Sequence, residues 1–555
     1  MKRTYLAAEG EPTARPHRGL LIGLALASLC LAWFWMGRIP AQGTWYRNAN
    51  MDVENIAEAL SLNLGLGTGV VDEPAATTRY LLALDLRLRH DLGSEQVWTA
   101  KRLSRSAGPL ADLARLVRIE RQHARILVVL FVLLAAGCVG HATGRFASAC
   151  LATVLLSGCS GLLLHGMLLR PELLCVGFGG VLAMHCAWLA QTSRRPDARA
   201  LWLVLAGTCL GLALLSKLPA VLYLAVILIW CGIAPLLPLV DGGPSPATRL
   251  PSIRTLAVAL TASLATLGML HLLGSRSSLL DPTALDRLRL LAVSAALLPV
   301  LLLLPAGIRG FAHLVGWMLD LVMLISGLLA AFLLSYGLLL AVLPGPVAAD
   351  CFAKLLNTLL HPDPLVPIYI LPTASYLPRE IGRFFMETPA LVVSSALLGI
   401  GLAFFRSAHP RGRALTLLFL AQAAGMLILL SKRRYFDHYG IFVEVPLLLA
   451  WCAGLSTLNE WWRRQATEAE VRWPVAVAIT AASILILAVP LQLRQRYQAS
   501  QGNDTVPVNG LTVTFLYGHD TYPASFLSAM KSHYPNRQEF AEGLNRYLAD
   551  PANRR

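Results

Sequence analysis

The chain has 555 residues, of which 56% are hydrophobic and only 14% charged, and its mean hydropathy is +0.58. Soluble globular chains carry about 25% charged residues, so this composition excludes an ordinary soluble domain and, despite a net charge of +15, a nucleic-acid-binding one. Repeated apolar runs of about 17 to 25 residues match the helix length that a hydrocarbon core of about 30 Å requires.

In chain order, a basic start with Lys2, Arg3, Arg15 and Arg18 precedes the first apolar run, Gly19 to Met36. The following Arg38-Ile-Pro-Ala-Gln lacks a small-x-small cleavage site, which favours a retained anchor over a signal peptide. Residues 37–125 are read as a large external loop. Its second half, Val97 to Arg125, spaces Leu103, Leu110, Leu113, Leu116, Val117 and Ile119 among arginines. That spacing fits amphipathic helices on a membrane surface, or equally helices packed on a bundle.

Further apolar runs occupy 126–140, 147–165, 172–190, 201–216, 219–236, 255–273, 290–306, 311–343, 389–405, 414–430, 441–455 and 474–491. With the first, they give an all-α polytopic membrane protein of about thirteen transmembrane helices. Its bundle covers 126–491 and its cytoplasmic N-terminus 1–18. The run 311–343 is long for one span and short for two. Basic short loops at 191–200 and 406–413 face the cytoplasm under the positive-inside rule, which places the first loop and residues 492–555 outside. In that external C-terminal segment Leu511-Thr-Val-Thr-Phe alternates like a strand, predicting a small α/β subdomain. Nine of the ten cysteines lie in or beside apolar runs and read as small hydrophobes. No spacing suggests zinc, and Asp437 with His438 lacks a ligand pattern.

The charged residues outside the spans carry the functional reading. Asp52 and Glu54 follow the first run closely enough to fold back onto the membrane surface, although either also suits a helix N-terminus. Glu172 lies in HGMLLRPELL, two residues after Arg170, at the outer mouth of two spans. Lys217 interrupts GLALLSKLPAVLYL, either marking a tight hairpin or offering an ammonium to a phosphate. The late loop SKRRYFDHYG brings Arg433, Arg434 and His438 to an outer span end. Basic residues on the outer face break the positive-inside bias and suit a lipid phosphate. Arg379 and Arg383, one helical turn apart, can join them or be solvated. His165, His185, His271 and His313 are scattered singly and receive no role. Asp320, inside an apolar run, has no visible partner in the sequence.

Four pieces together resemble the C-type glycosyltransferase superfamily, in particular the protein O-mannosyltransferase and lipid A aminoarabinose transferase group. They are MDVENIAEALSLNLGLGTG, its continuation through a proline into Arg79-Tyr80-Leu-Leu-Ala-Leu, LLRPELL, and AGTCLGLALLSKLPAVLYL; the late HYGIFVEVPLLLAWCAGL is also similar. The resemblance implies transfer of a sugar from a polyprenyl-phosphate donor on the outer face of the cytoplasmic (inner) membrane. The acceptor would be an envelope glycan, a lipid or a protein. It implies a first-loop acid as base, which maps onto Asp52. The family's adjacent acid pair is split here as Asp52-Val-Glu54, so the base is Asp52 or Glu54, with Glu172 as a further acid. Arg79, Arg170, Lys217, Arg433, Arg434 and His438 would bind the donor phosphate. Some members of the superfamily need a divalent cation and others do not. The rival class is a transporter or lipid flippase for an envelope precursor; few intramembrane charges and no inverted repeat of broken helices speak against it.

Overall fold

The computed structural model describes residues 45–46, 49–66, 76–166, 168–193, 195–233, 253–276, 282–303, 312–360, isolated positions from 378 to 386, 388–404, 410–431, 437–465, 510–518 and 522–554. The described residues are helical and contain no strand. The N-terminus and first apolar run lie outside them, as does the run 474–491. The apolar runs from 126–140 to 441–455 are helical over their described residues, apart from a break within 147–165. Burying every backbone donor and acceptor within the segment is what lipid demands.

Before the bundle come α1 (Ala49–Leu62), α2 (Ala76–Asp91) and the short α3 (Ala100–Leu103). The side chain of Thr99 caps α3 by accepting from the Arg102 amide. Next, α4 (Pro109–Thr143) starts with proline in its first turn and ends at Gly144 in the left-handed conformation. Its first half belongs to the amphipathic stretch read as lying on a membrane surface or packing on a bundle. It runs without a break into the first bundle helix and buries Leu110, Leu113, Leu116 and Val117 in the protein.

The run 147–165 is interrupted. α5 (Phe146–Ser157) stops at Gly158, and α6 (Ser160–His165) begins beyond Cys159. A carboxylate from a distant helix fixes the break: Glu444 accepts from the Gly161 amide at 3.0 Å and from the Cys159 thiol. Helix α7 (Pro171–Thr192) follows, widened into a π-helix over Val176–Ala183. There Gly179 and Gly180 let the Tyr223 ring lie against the backbone, and Gln422 donates to the Gly180 carbonyl.

α8 (Pro196–Ser216), α9 (Val221–Ile233), α10 (Ile253–Arg276), α11 (Pro282–Leu303) and α12 (Ala312–Val342) continue the bundle. The long run 311–343 is thus one helix of 31 residues, about 46 Å at 1.5 Å per residue. Asp320 within it has partners the sequence did not reveal. Arg199 holds it bidentately, through Nε at 3.0 Å and through Nη2, and Gln191 adds a longer contact. A buried charge in a bundle interior requires such pairing. α13 (Gly345–Leu360), α14 (Pro389–Phe404), α15 (Pro410–Ser431) and α16 (Ile441–Gln465) complete it.

Among the described residues six helices are long and apolar enough to cross a membrane, which makes the chain a polytopic α-helical membrane protein. Several others, such as α5, are shorter.

The C-terminal segment comprises α17 (Gly510–Tyr517), α18 (Ala524–His533) and α19 (Arg537–Ala549). The strand expected over Leu511–Phe515 is helix α17. Its alternation is overridden by packing, since Leu516 and Tyr517 are buried and the Tyr517 ring meets that of Phe540. An α/β subdomain is thereby corrected to a helical one over the described residues.

Candidate functional site

One apolar core holds the bundle. A second joins α1 to α4, parts of α8 and α10 to α13, and the C-terminal helices. The candidate residues sit where these two cores meet.

Asp52, in the first turn of α1, is completely buried. Arg121 on α4 reaches its Oδ2 from Nη2 at 2.9 Å and from Nε at 3.2 Å. Burial pushes the Asp52 carboxyl above its ordinary value, outweighing Arg121 and, further off, Arg170. Glu54, two residues on, points differently: 20% of its side chain is exposed, and its Oε1 lies 2.6 Å from Arg79 Nη2. Asn55, again on α1, donates to Glu120 on α4 at 3.0 Å and to the Leu169 carbonyl at 2.8 Å. The second bond ties α1 to the residue preceding Arg170.

Arg170 caps α7, with Pro171 and Glu172 in the first turn. Its Nε is buried without a hydrogen-bond partner among the described residues. Glu172 is 1% exposed and lies 2.9 Å from the ammonium of Lys217. Lys217 breaks α8 with an extended backbone, is itself buried, and sits 5.4 Å from the Tyr439 ring centre. Next to it, the Ser216 hydroxyl meets Thr77 of α2 at 2.6 Å, two residues from Arg79.

Six residues singled out in the sequence, Asp52, Glu54, Arg79, Arg170, Glu172 and Lys217, therefore stand in one connected polar neighbourhood. Helices α1, α2, α7 and α8 supply them. Arg433 and Arg434 lie outside the described residues, as do Arg379 and Arg383. For His438 only the backbone is described, in the 3-10 turn Asp437–Gly440. The same turn carries Tyr439, which reaches Lys217.

Thr77 also lines an apolar cavity of about 340 Å³ between α1, α2, α7, α8 and α12, together with Tyr80, Leu84, Phe178, Leu212 and Leu338. Burial holds the Tyr80 phenol above its ordinary value. The rest of the lining is apolar apart from Asn63, Ser335 and Arg87, and the link to the charged cluster is the contact of the Thr77 hydroxyl with Ser216, next to Lys217.

Sequence reasoning missed Arg121, Glu120 and Asn55. Glu120 and Arg121 do carry a signal, because they continue the stripe Leu113, Val117, Ala124 on the buried face of α4. Among the described residues no group of three or more His, Cys, Asp or Glu side chains is placed to hold a metal ion. No family model matches the chain, and no curated protein or solved structure is significantly similar to it.

Proposed function

We propose that this protein is a membrane glycosyltransferase that moves a sugar from a polyprenyl-phosphate donor to an envelope glycan, lipid or protein acceptor. The reaction would occur at the outer face of the cytoplasmic membrane. The observation that carries the reading is the link at Thr77, which lines an apolar cavity and whose hydroxyl meets Ser216, next to Lys217 in the cluster of buried cations and carboxylates from four helices. The tail of the donor would take the cavity, and its phosphate the charged cluster.

Accessibility supports a division of roles between the acids. A general base has to reach the proton it removes, and Asp52 is sealed behind Arg121, whereas part of Glu54 is open. Glu54 is the base and Asp52 the residue that fixes α1 on α4. The Glu54 carboxylate takes the proton from the acceptor hydroxyl, and the acceptor oxygen bonds to the anomeric carbon. The bond from that carbon to the phosphate oxygen breaks on the opposite face, inverting the centre, and the phosphate leaves with the electron pair. Arg170 has an open buried donor for that phosphate. Lys217 joins it by exchanging Glu172 for the developing charge.

The test uses the protein in liposomes with a doubly labelled polyprenyl-phosphate sugar. A transferase separates the labels, releasing lipid phosphate in proportion to sugar on the acceptor. A flippase carries both labels across the bilayer on one intact molecule, and that result overturns the proposal.

A further inference from the structure

We propose that the seam between α3 and the C-terminal helices is a binding surface for an acidic glycan, which is the acceptor. Lys101, Arg102, Arg105, Lys531 and Arg537 hold its anionic groups. The acceptor role rests on the transferase reading; the binding surface does not.

Two segments far apart in sequence make the seam. Helix α3 ends at Leu103 and α18 at His533, whose Nε2 donates to the Leu103 carbonyl at 3.0 Å. Leu103, Phe526 and Met530 are fully buried in the same core. Lys101 and Arg102 stand on α3, Arg105 in the turn after it, Lys531 on α18 and Arg537 at the head of α19, all exposed. None of these side chains has a hydrogen bond or ion pair among the described residues. Residues 97–111 and 521–538 contain no Asp or Glu. The acids just beyond are engaged: Glu95 and Asp112 pair with Arg115, and Glu539 accepts from Asn536.

Folding does not account for this charge. Cations stabilise the last turn of a helix, which suits Lys531. Yet α3 is a single turn with little dipole to offset, and Arg105 lies outside it. Arg537 occupies the first turn of α19, where the dipole disfavours a cation.

The surroundings select the ligand. Ser106, next to Arg105, donates to Asp112 in the first turn of α4. On that helix Arg118 and Gln122 are exposed, and large apolar side chains become exposed only from Ile126. Asp112 and Ile126 are about 21 Å apart along the axis, beyond the screening length of about 8 Å in physiological salt. Headgroups of the surrounding bilayer are therefore not the partner. Among the described residues no large apolar side chain is exposed from 93 to 125 or from 510 to 554. The seam thus offers neither the apolar centre of a protein interface nor anchors for lipid insertion. Hydrated cations on a polar surface suit carboxylates or phosphates spaced along a carbohydrate chain. Helix α18 also touches α1, where the Ser525 and Ser61 hydroxyls lie 2.6 Å apart. A chain of several sugars held on the seam therefore runs beside the helix that carries Asp52 and Glu54.

The experiment titrates the full chain in detergent with polygalacturonate, a carboxylated polysaccharide, and with neutral dextran, by calorimetry. It needs no donor, so its failure is distinct from failure of the transferase reading. The wild type binds polygalacturonate, more weakly as salt rises, and ignores dextran. The triple variant Lys101→Ala, Arg102→Ala, Arg105→Ala binds about tenfold more weakly with an unchanged melting curve. Removing the same charge elsewhere, by Arg118→Ala, Arg195→Ala and Arg546→Ala, keeps the wild-type affinity. No binding by the wild type overturns the proposal. So does an equal loss in both triple variants, which would make net charge the cause. Loss of binding to phosphatidylglycerol vesicles in the first triple variant, with polygalacturonate unaffected, would make the partner a lipid and also overturns it.

Discussion

Nη2 of Arg121 lies 2.9 Å from Asp52 Oδ2 and also donates to the Trp45 carbonyl at 3.2 Å. One guanidinium thus fixes the start of α1 to α4 in a place water does not reach. Losing one partner of a buried pair leaves the other charge uncompensated, which costs about 3–5 kcal/mol. Arg121→Gln should lower thermal stability in detergent by that amount. Adding Asp52→Asn should recover a large part of it, because the orphaned carboxylate is gone.

The same pair sets a pH dependence. Burial raises the folded pKa of Asp52 above its ordinary value of 3.8. The folded state therefore binds a proton that the unfolded chain has released. This contribution to stability is complete below 3.8 and is lost as pH rises through the raised folded value. In unfolding measurements across that window, Asp52→Asn should flatten the decline.

Glu172 and Lys217 separate folding from chemistry. Their buried contact at 2.9 Å makes Lys217→Met alone destabilising, again by about 3–5 kcal/mol. The double variant Glu172→Gln with Lys217→Met should regain most of that stability. It should still transfer at least about tenfold more slowly, since a lost hydrogen bond to a charged group is worth about 1.5–3 kcal/mol.

The crossing of α8 on α12 depends on small residues. A methyl group at Gly207 would meet the Leu324 carbonyl, and one at Gly327 the Val204 carbonyl. Backbone cannot yield as a side chain can, so Gly207→Ala and Gly327→Ala should each cost about 1–3 kcal/mol. Gly137→Ala, with open space around it, should be neutral. Melting curves of the three variants compare them directly.

The helices were legible because apolar runs of membrane length admit little else. Arg170, Glu172 and Lys217 were legible as charges at span ends, Asp52 and Glu54 as acids soon after the first apolar run, and Arg79 only through the resemblance. Their pairings were not. Glu54 meets Arg79 only when α1 packs on α2, and Glu172 meets Lys217, 45 residues away in sequence, only when α7 packs beside α8. Asp320 looked unpartnered because Arg199 stands in what reads as a solvated basic loop, yet begins a helix and turns inward. The strand expected at Leu511–Phe515 failed because five alternating residues are too few to resist a helical packing face.

The most direct measurement compares wild type with Glu54→Gln and Asp52→Asn for release of free lipid phosphate from polyprenyl-phosphate sugars in membranes, at matched expression. The account predicts that Glu54→Gln loses about 10²–10⁴-fold of the wild-type rate, well beyond what the loss of its pair with Arg79 does to folding. Asp52→Asn should lose less, in step with its effect on folding. Wild-type rates in Glu54→Gln, or no release from the wild-type protein with any donor of this class, would contradict it.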